Sequence, residues 1–464
     1  MERLSGLDAS FLYLETPKMH MHVAMAAVLD PAQMPGGYSF EKVQNLIESR
    51  VHRMPAFRRR LVEVPFTLHH PVWIDDPDFD IIRHVRRVAC PAPGGREELG
   101  DICGRIASTP LDRSRPLWEA WVIEGIEGGR FAVMTKVHHA AVDGATGAGL
   151  LVHLFSLDPT EAAPGPATAP AFRGEGVPSP IDMMRDAVVS RVKQPAEFVK
   201  LVAHTASAIA GVAKQRQEPD ALVGGTPLRA PRTSFNGALS ARRNVAFAQL
   251  PLEGLKRIKA RHDVRLNDVV LAVCAGALRR YLDGRGELPS DPLVAVCPIS
   301  VKSVKPGVGS NHVSGMFTSL ATDIDDPVER LMAIKAGTMG AKHEHQAIGA
   351  DMLQSWAEFA APTTFHLAAR FYARWRLAEK HRPIHNLVIS NVPGPQVPIY
   401  LAGAKLVAVY PMGPVMEGAG LNVTVMSYDG HVDFGFMVAA DLVPDVWSLA
   451  AGVQPAYEEL RNAR

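Results

Sequence analysis

The stretch "KVHHAAVDGATG", Lys136–Gly147, decides how this chain is read. Upstream, "RFAVMT" alternates: Phe131, Val133, Thr135 and Val137 fall on one side, Ala132, Met134 and Lys136 on the other. That period of two predicts a β-strand running into the paired histidines. Continued along the strand, His139 falls with Val137 and Thr135, and His138 falls on the opposite side. Adjacent strand residues cannot both point into one pocket. At most one histidine therefore has a chemical role, and the other is expected to be a packed, hydrogen-bonded support. Asp143-Gly144 then permits a tight turn or a close backbone approach. A helix is predicted next, "ATGAGLLVHLFSL", for which Asp143 can serve as N-cap.

Length and composition bound the rest. The chain has 464 residues, which predicts two or three domains. Hydrophobic residues make up 47% and charged residues 21%, ordinary for a globular protein with sizeable cores. A formal net charge of +1 supplies no global field for nucleic acid, and none is expected as a partner. The four cysteines, Cys90, Cys103, Cys274 and Cys297, form no C-x-x-C pair and are expected to be buried free thiols. The start lacks a basic region followed by an apolar one, so no secretory signal is indicated. The longest apolar run, "VVLAVCAGAL", is about half of what spans a bilayer. A cytoplasmic location is expected, with any membrane contact peripheral.

The composition shifts once. "TEAAPGPATAPAFRGEGVPSP", Thr160–Pro180, holds five prolines and three glycines and predicts an irregular connector. Helical spacing follows from about 181 to 217. This segment is expected to pack on the protein body, and a membrane-surface helix is the sharper reading of its nearby basic residues. The expected organisation is an N-terminal domain over 1–160, a linker over 161–233 and a C-terminal domain over 234–464. Helices and strands mix without strict βαβ alternation, which indicates α+β layers. Predicted helices include "SFEKVQNLIESRVHRMPAF" with Ser39 as N-cap and "DVVLAVCAGALRRYL". Predicted strands include "DPLVAVCPISV", "HNLVISNVPG", "KLVAVYPMGPV", "GLNVTVMSYDG" and "HVDFGFMVAADL".

A neutral histidine near pH 7 takes a proton from an alcohol or thiol. No G-x-S-x-G elbow accompanies it, which weakens a serine-hydrolase reading. Neither a P-loop nor a strand-linked G-x-G-x-x-G occurs, so nucleotide hydrolysis and dinucleotide redox chemistry lose support. His20–His22 ("HMH") and His343–His345 ("HEH") could offer ligands. Without H-E-x-x-H or a cysteine set, no metal is expected. What remains is a histidine that activates a substrate's own hydroxyl for direct group transfer.

The motif His138-His139-x-x-x-Asp143-Gly144 resembles the signature of acyl-CoA-dependent acyltransferases of the chloramphenicol-acetyltransferase-like superfamily. Other stretches resemble the bacterial wax ester synthase/diacylglycerol acyltransferase family within it. They are "LSGLDASFLYLETPKMHMHV" (Leu4–Val23), Pro116-Leu117-Trp118, and the Asn-x-x-x-Ser-x-x-Arg segment at Asn236, Ser240 and Arg243. Asn267-Asp268 and "SNVPGPQVPIYLAGAKL" (Ser390–Leu406) complete the set. In order, they run from residue 4 to about 445. Lys302 departs from the arginine common after "P-[IV]-S-V"; it keeps the charge but loses the bidentate fork.

The resemblance implies two chloramphenicol-acetyltransferase-like mixed-sheet domains with the active site in a channel at their interface. It implies O-acyl transfer from acyl-CoA to diacylglycerol, a fatty alcohol or both, with acyl-CoA a substrate and no cofactor. The readings set against it are a condensation-type enzyme using another thioester donor and a non-catalytic lipid-binding paralogue. It further implies His139 as general base with His138 the weaker candidate, Asp143 as a structural aspartate paired with a basic residue, and Gly144 as part of that turn. Asn267 and Asp268 would shape the channel, a helix N-cap being the plainer reading. Pro116, Leu117 and Trp118 would shape acyl or acceptor binding. Water-insoluble substrates imply peripheral contact with the inner face of the membrane or with lipid droplets.

Overall fold

The computed structural model describes residues 2–141, 151–161, 229–300, 313–348 and 362–463, with isolated positions between 176 and 207. Two six-stranded mixed sheets organise it, in orders β12-β13-β2-β7-β6-β5 and β10-β9-β11-β14-β15-β8. The strands of the first are β2 (His22–Asp30), β5 (Val85–Ala89), β6 (Trp118–Ile126), β7 (Arg130–His138), β12 (Tyr400–Leu401) and β13 (Ala404–Met412). Those of the second are β8 (Arg243–Pro251), β9 (Val294–Ser300), β10 (Val313–Ser319), β11 (Leu387–Pro393), β14 (Leu421–Tyr428) and β15 (His431–Ala439). A small sheet, β1 (Glu2–Arg3), β4 (Val72–Asp75) and β3 (Arg59–Val62), flanks the N-terminus. Most pairs are antiparallel, but β5 runs parallel to β6, and β11 runs parallel to both β9 and β14. The α+β mixed-sheet architecture is as expected.

The helices in chain order are α1 (Gly6–Leu14), α2 (Phe40–Val51), α3 (Arg96–Ala107), α4 (Leu252–Arg261), α5 (Leu266–Asp283), α6 (Pro327–Ile348), α7 (Pro362–Arg374), α8 (Val446–Ala451) and α9 (Val453–Asn462). Local chemistry sets their ends. Ser39 caps α2 as predicted, its hydroxyl accepting from the Lys42 amide at 3.3 Å. At α5 the cap position belongs to Arg265, and Asp268 stands one turn in. Its carboxylate accepts the Arg265 amide at 2.9 Å and the Thr338 hydroxyl at 2.8 Å. The N-cap expected at Asn267-Asp268 is thus displaced by two residues, because the carboxylate reaches back to the entering chain.

The halves are not self-contained, since strands β12 and β13 from the second half complete the first sheet beside β2. The β13 strand also packs against β15 of the other sheet. A Cβ on Gly435 would come within 1.8 Å of the Pro411 carbonyl oxygen, so only glycine permits this approach. Beside it, Phe247 stacks on Tyr410 with centroids 4.3 Å apart. Between the sheets runs a core of Met21, Ala26, Cys103, Met134, Phe247 and Met437. All four cysteines are buried and free. Among the described residues, no helix is long and apolar enough to cross a membrane.

Two polar knots follow, one within the second half and one across the join. Asn236 donates to the carbonyls of Asn386 and Gly418 at 3.0 and 2.8 Å, while its own oxygen accepts from the Asn386 amide at 2.8 Å. Arg243 is buried and donates to the carbonyls of Ser240 and Lys18, each at 2.5 Å, tying β8 to the N-terminal segment. Burial lowers its guanidinium to about 10, still a cation at neutral pH. The Asn-x-x-x-Ser-x-x-Arg segment is therefore a structural fastener.

Candidate active site

Strand β7 is buried on both faces and delivers the histidine pair at its end. His138 is the last strand residue and pairs with His22 of β2. Its amide donates to the Leu117 carbonyl at 2.9 Å, and its carbonyl accepts from the Ala141 amide at 2.9 Å. The His138 ring closes the same turn, its Nδ1 lying 3.0 Å from the Ala140 amide. An imidazole nitrogen that accepts an N–H is unprotonated, so the His138 proton sits on Nε2. That nitrogen faces Glu15 Oε2 at 3.6 Å, just beyond hydrogen-bond length.

His139 therefore sits beyond the strand, near the apex of a turn pinned twice by His138. Its amide donates to the Met21 carbonyl at 2.7 Å, and its ring stacks on Phe11 of α1 with centroids 4.1 Å apart. It is half-buried, whereas His138 is fully buried. The turn, more than strand parity, places His139, because the strand stops one residue earlier than predicted.

Behind the pair lies a charge cluster that local sequence patterns do not announce. Arg113 donates to Glu15 Oε2 through Nε at 2.9 Å and to the Leu12 carbonyl at 2.8 Å. Glu15 Oε1 lies 3.5 Å from His22 Nε2. Burial acts to raise the Glu15 carboxyl, but its contacts with His138 and His22 and the Arg113 charge outweigh it. The carboxyl is held well below the usual range. Burial lowers His22 to about 3 and lowers His138 as well, so both imidazoles are neutral near pH 7. Arg113, not a histidine, balances the Glu15 charge.

Lys136, wholly buried, adds a second pair. Its ammonium meets Glu119 Oε2 at 3.2 Å and donates to the carbonyls of Ile106 and Thr109 at 3.1 and 3.0 Å. Burial lowers its pKa, and the Glu119 charge opposes that shift. His20, half of the "HMH" pair, is taken up by the carbonyls of Ala107 and Pro17 at 3.3 and 3.2 Å.

The other expected site residues fall in three groups. Pro116, Leu117 and Trp118 are buried. Trp118 donates its indole N–H to the Phe57 carbonyl at 2.8 Å and stacks on His84 at 4.7 Å. Leu117 holds the His138 backbone, so this segment supports the histidine turn from behind. Asn267 meets the loop motif directly: the Asn391 amide donates to its Oδ1 at 3.3 Å. After Asn391, the backbone at Gly394 passes so close to β14 that a Cβ would lie 2.3 Å from the Ser427 oxygen. Asp143, Gly144, Lys302, the side chains of His343 and His345, and most of the helix expected over 181–217 lie outside the described residues.

Comparison with known proteins agrees along the whole chain. The family model described as the wax ester synthase/diacylglycerol acyltransferase catalytic domain matches residues 4–270. The corresponding C-terminal domain matches 309–461. A protein of Mycobacterium tuberculosis (strain CDC 1551 / Oshkosh), provisionally named a diacylglycerol O-acyltransferase, is 44% identical over 461 residues, covering 99% of this chain and 90% of its own. The solved wax ester synthase/diacylglycerol acyltransferase from Marinobacter aquaeolei VT8 superposes with a TM-score of 0.68 at 29% identity, covering 99% of this chain and 98% of its own. The first condensation domain of the calcium-dependent antibiotic synthetase shares the fold, with a TM-score of 0.58 at 15% identity over 100% of this chain and 97% of its own.

Proposed function

Because the chain belongs to the wax ester synthase/diacylglycerol acyltransferase family, we propose that it transfers an acyl group from acyl-CoA to the hydroxyl of diacylglycerol or a fatty alcohol, with His139 as general base. The observation that carries this reading is the contrast within the pair. His138 is locked on both ring sides, between Ala140 and Glu15. His139 is the half-buried member and is held against Phe11.

His139 takes the hydroxyl proton as the acceptor oxygen attacks the thioester carbonyl carbon. A C–O bond forms, the tetrahedral intermediate collapses, the C–S bond breaks, and the departing CoA thiolate takes the proton back. General-base help of this kind is worth about 10²–10⁴ in rate. Acyl-CoA enters as a substrate, and the step calls for no metal or resident cofactor. Asn267 and Asp268 shape the channel beside the Asn391 loop, and Pro116-Leu117-Trp118 back the histidines. The acceptors are insoluble in water, which favours peripheral contact with the membrane or lipid droplets.

The test is product analysis. Purified protein is incubated with long-chain acyl-CoA and either diacylglycerol or a fatty alcohol, and CoA release and neutral lipid are followed together. Triacylglycerol, wax ester or both should form in step with CoA. CoA release that is independent of either acceptor, or no release, would contradict the reading.

A further inference from the structure

Helix α7 shows an apolar face to solvent. Leu367 and Phe371 on the helix and Trp375, the residue after its end, recur every four residues and are 59%, 56% and 55% exposed. That spacing lines them up on one side, and the Phe371 and Trp375 rings lie 5.9 Å apart. Arg370 and Arg374 edge the same exposed arc. Among the described residues neither enters an ion pair, whereas Arg376 is taken by Glu379. An apolar stripe with an aromatic end and a free basic edge suits the interface of an anionic lipid layer.

The opposite face of α7 packs on α1. His366 Nδ1 lies 3.3 Å from the Tyr13 carbonyl oxygen, and Phe365 meets the Tyr13 ring edge-on at 6.4 Å. On its other side the Tyr13 hydroxyl meets His70 Nδ1 at 2.8 Å, fixing the loop that carries Phe66. Phe66 is 82% exposed and is held at φ 56°, with Thr67 at φ 50°. A left-handed phenylalanine pointing into water is costly without a partner. Tyr13 thus touches both α7 and the segment that follows Phe66. The same helix α1 carries Phe11, which stacks on His139.

We propose that the stripe made by Leu367 and Phe371 on α7 and Trp375 just past its end docks the protein on an anionic phospholipid surface. The stripe sinks into the headgroup boundary while Arg370 and Arg374 meet lipid phosphates. This deepens the acyltransferase reading by giving its insoluble acceptor a surface next to α1, but the docking itself needs no turnover.

Vesicle flotation of the full chain tests it, with phosphatidylcholine alone against phosphatidylcholine mixed with phosphatidylglycerol. Wild type should float with the mixed vesicles. The variant Leu367→Ser/Phe371→Ser/Trp375→Ser should bind about tenfold more weakly or worse. Arg370→Glu/Arg374→Glu should lose the preference for phosphatidylglycerol, about fivefold per arginine. Turnover of a water-soluble short-chain acyl-CoA and alcohol, with circular dichroism, reports folding; Trp375→Ser alone serves if the triple variant misfolds. Wild type that stays with the soluble fraction, or stripe variants that float like wild type, would overturn the proposal. So would a triple substitution that turns a dimer into a monomer, since the face would then join two copies of this chain. Wild type that floats but turns nothing over supports docking and counts against the reaction alone.

Discussion

Glu15 Oε2 stands 3.6 Å from Nε2 of His138, while the other oxygen of the same carboxylate faces His22 at 3.5 Å. One carboxylate thus holds two buried imidazoles, and Arg113 holds the carboxylate. Glu15→Gln keeps the shape and removes the charge, leaving Arg113 unmatched. It should cost about 1–3 kcal/mol, less than a fully buried pair because Arg113 is partly exposed. The Glu15 carboxyl is lowered in the fold, so its contribution is present above the unfolded pKa of about 4.3 and is lost as pH falls below it. Melting curves at pH 7 and pH 4 should show a smaller acid loss in the variant. Equal losses would contradict the cluster's role.

The two histidines should separate by stability. His138→Ala removes the acceptor of the Ala140 amide and the neighbour of Glu15, and should cost about 2 kcal/mol in urea unfolding. His138→Asn restores an acceptor near the position of Nδ1 and should recover part of that loss. If Asn and Ala were equally stable, the ring-to-Ala140 bond would have no structural weight.

Asp433 predicts an opposite pH effect. Its carboxyl is fully buried where β15 meets β13, accepting the Val409 amide at 2.9 Å and the Gln249 amide at 2.7 Å. Burial raises it to about 6, and those two bonds only partly offset the shift. A raised folded pKa adds stability that is complete below the unfolded value of about 3.9 and is lost as pH rises through 6. Wild type should therefore gain stability from pH 7 to pH 5, by about 1 kcal/mol. Asp433→Asn should flatten that slope; an unchanged slope would place the titration elsewhere.

Gly435 tests the sheet junction. Its Cβ would come within 1.8 Å of the Pro411 oxygen, and backbone on both sides leaves little room to yield. Gly435→Ala should cost more than about 3 kcal/mol and show as lost soluble protein or a lowered Tm. A Tm within a few degrees of wild type would mean that β13 and β15 can part.

The predictability of these features differed by range. Local elements were legible: alternation marked β7, and Ser39 with its helical spacing marked α2. The motifs located the histidine turn, yet the residues that hold it are far away in sequence. Glu15 and Arg113 are 98 residues apart, and no local pattern pairs them. Lys136 lay on a strand read as alternating, but it is fully buried because both faces of β7 are covered. The insertion of β13 into the first sheet was equally hidden, since "KLVAVYPMGPV" shows a strand and not its partner. Asp268 misled in a smaller way: an acid near a helix start can cap it, or reach back from one turn inside as it does here.

The most direct test is steady-state turnover of His139→Ala beside His138→Asn, with acyl-CoA and the better of the two acceptors. His139→Ala should keep the wild-type Tm within a few degrees and lose about 10²–10⁴ in kcat. His138→Asn should lose stability first and retain the larger share of kcat. A His139→Ala protein that makes neutral lipid at the wild-type rate would contradict His139 as the base.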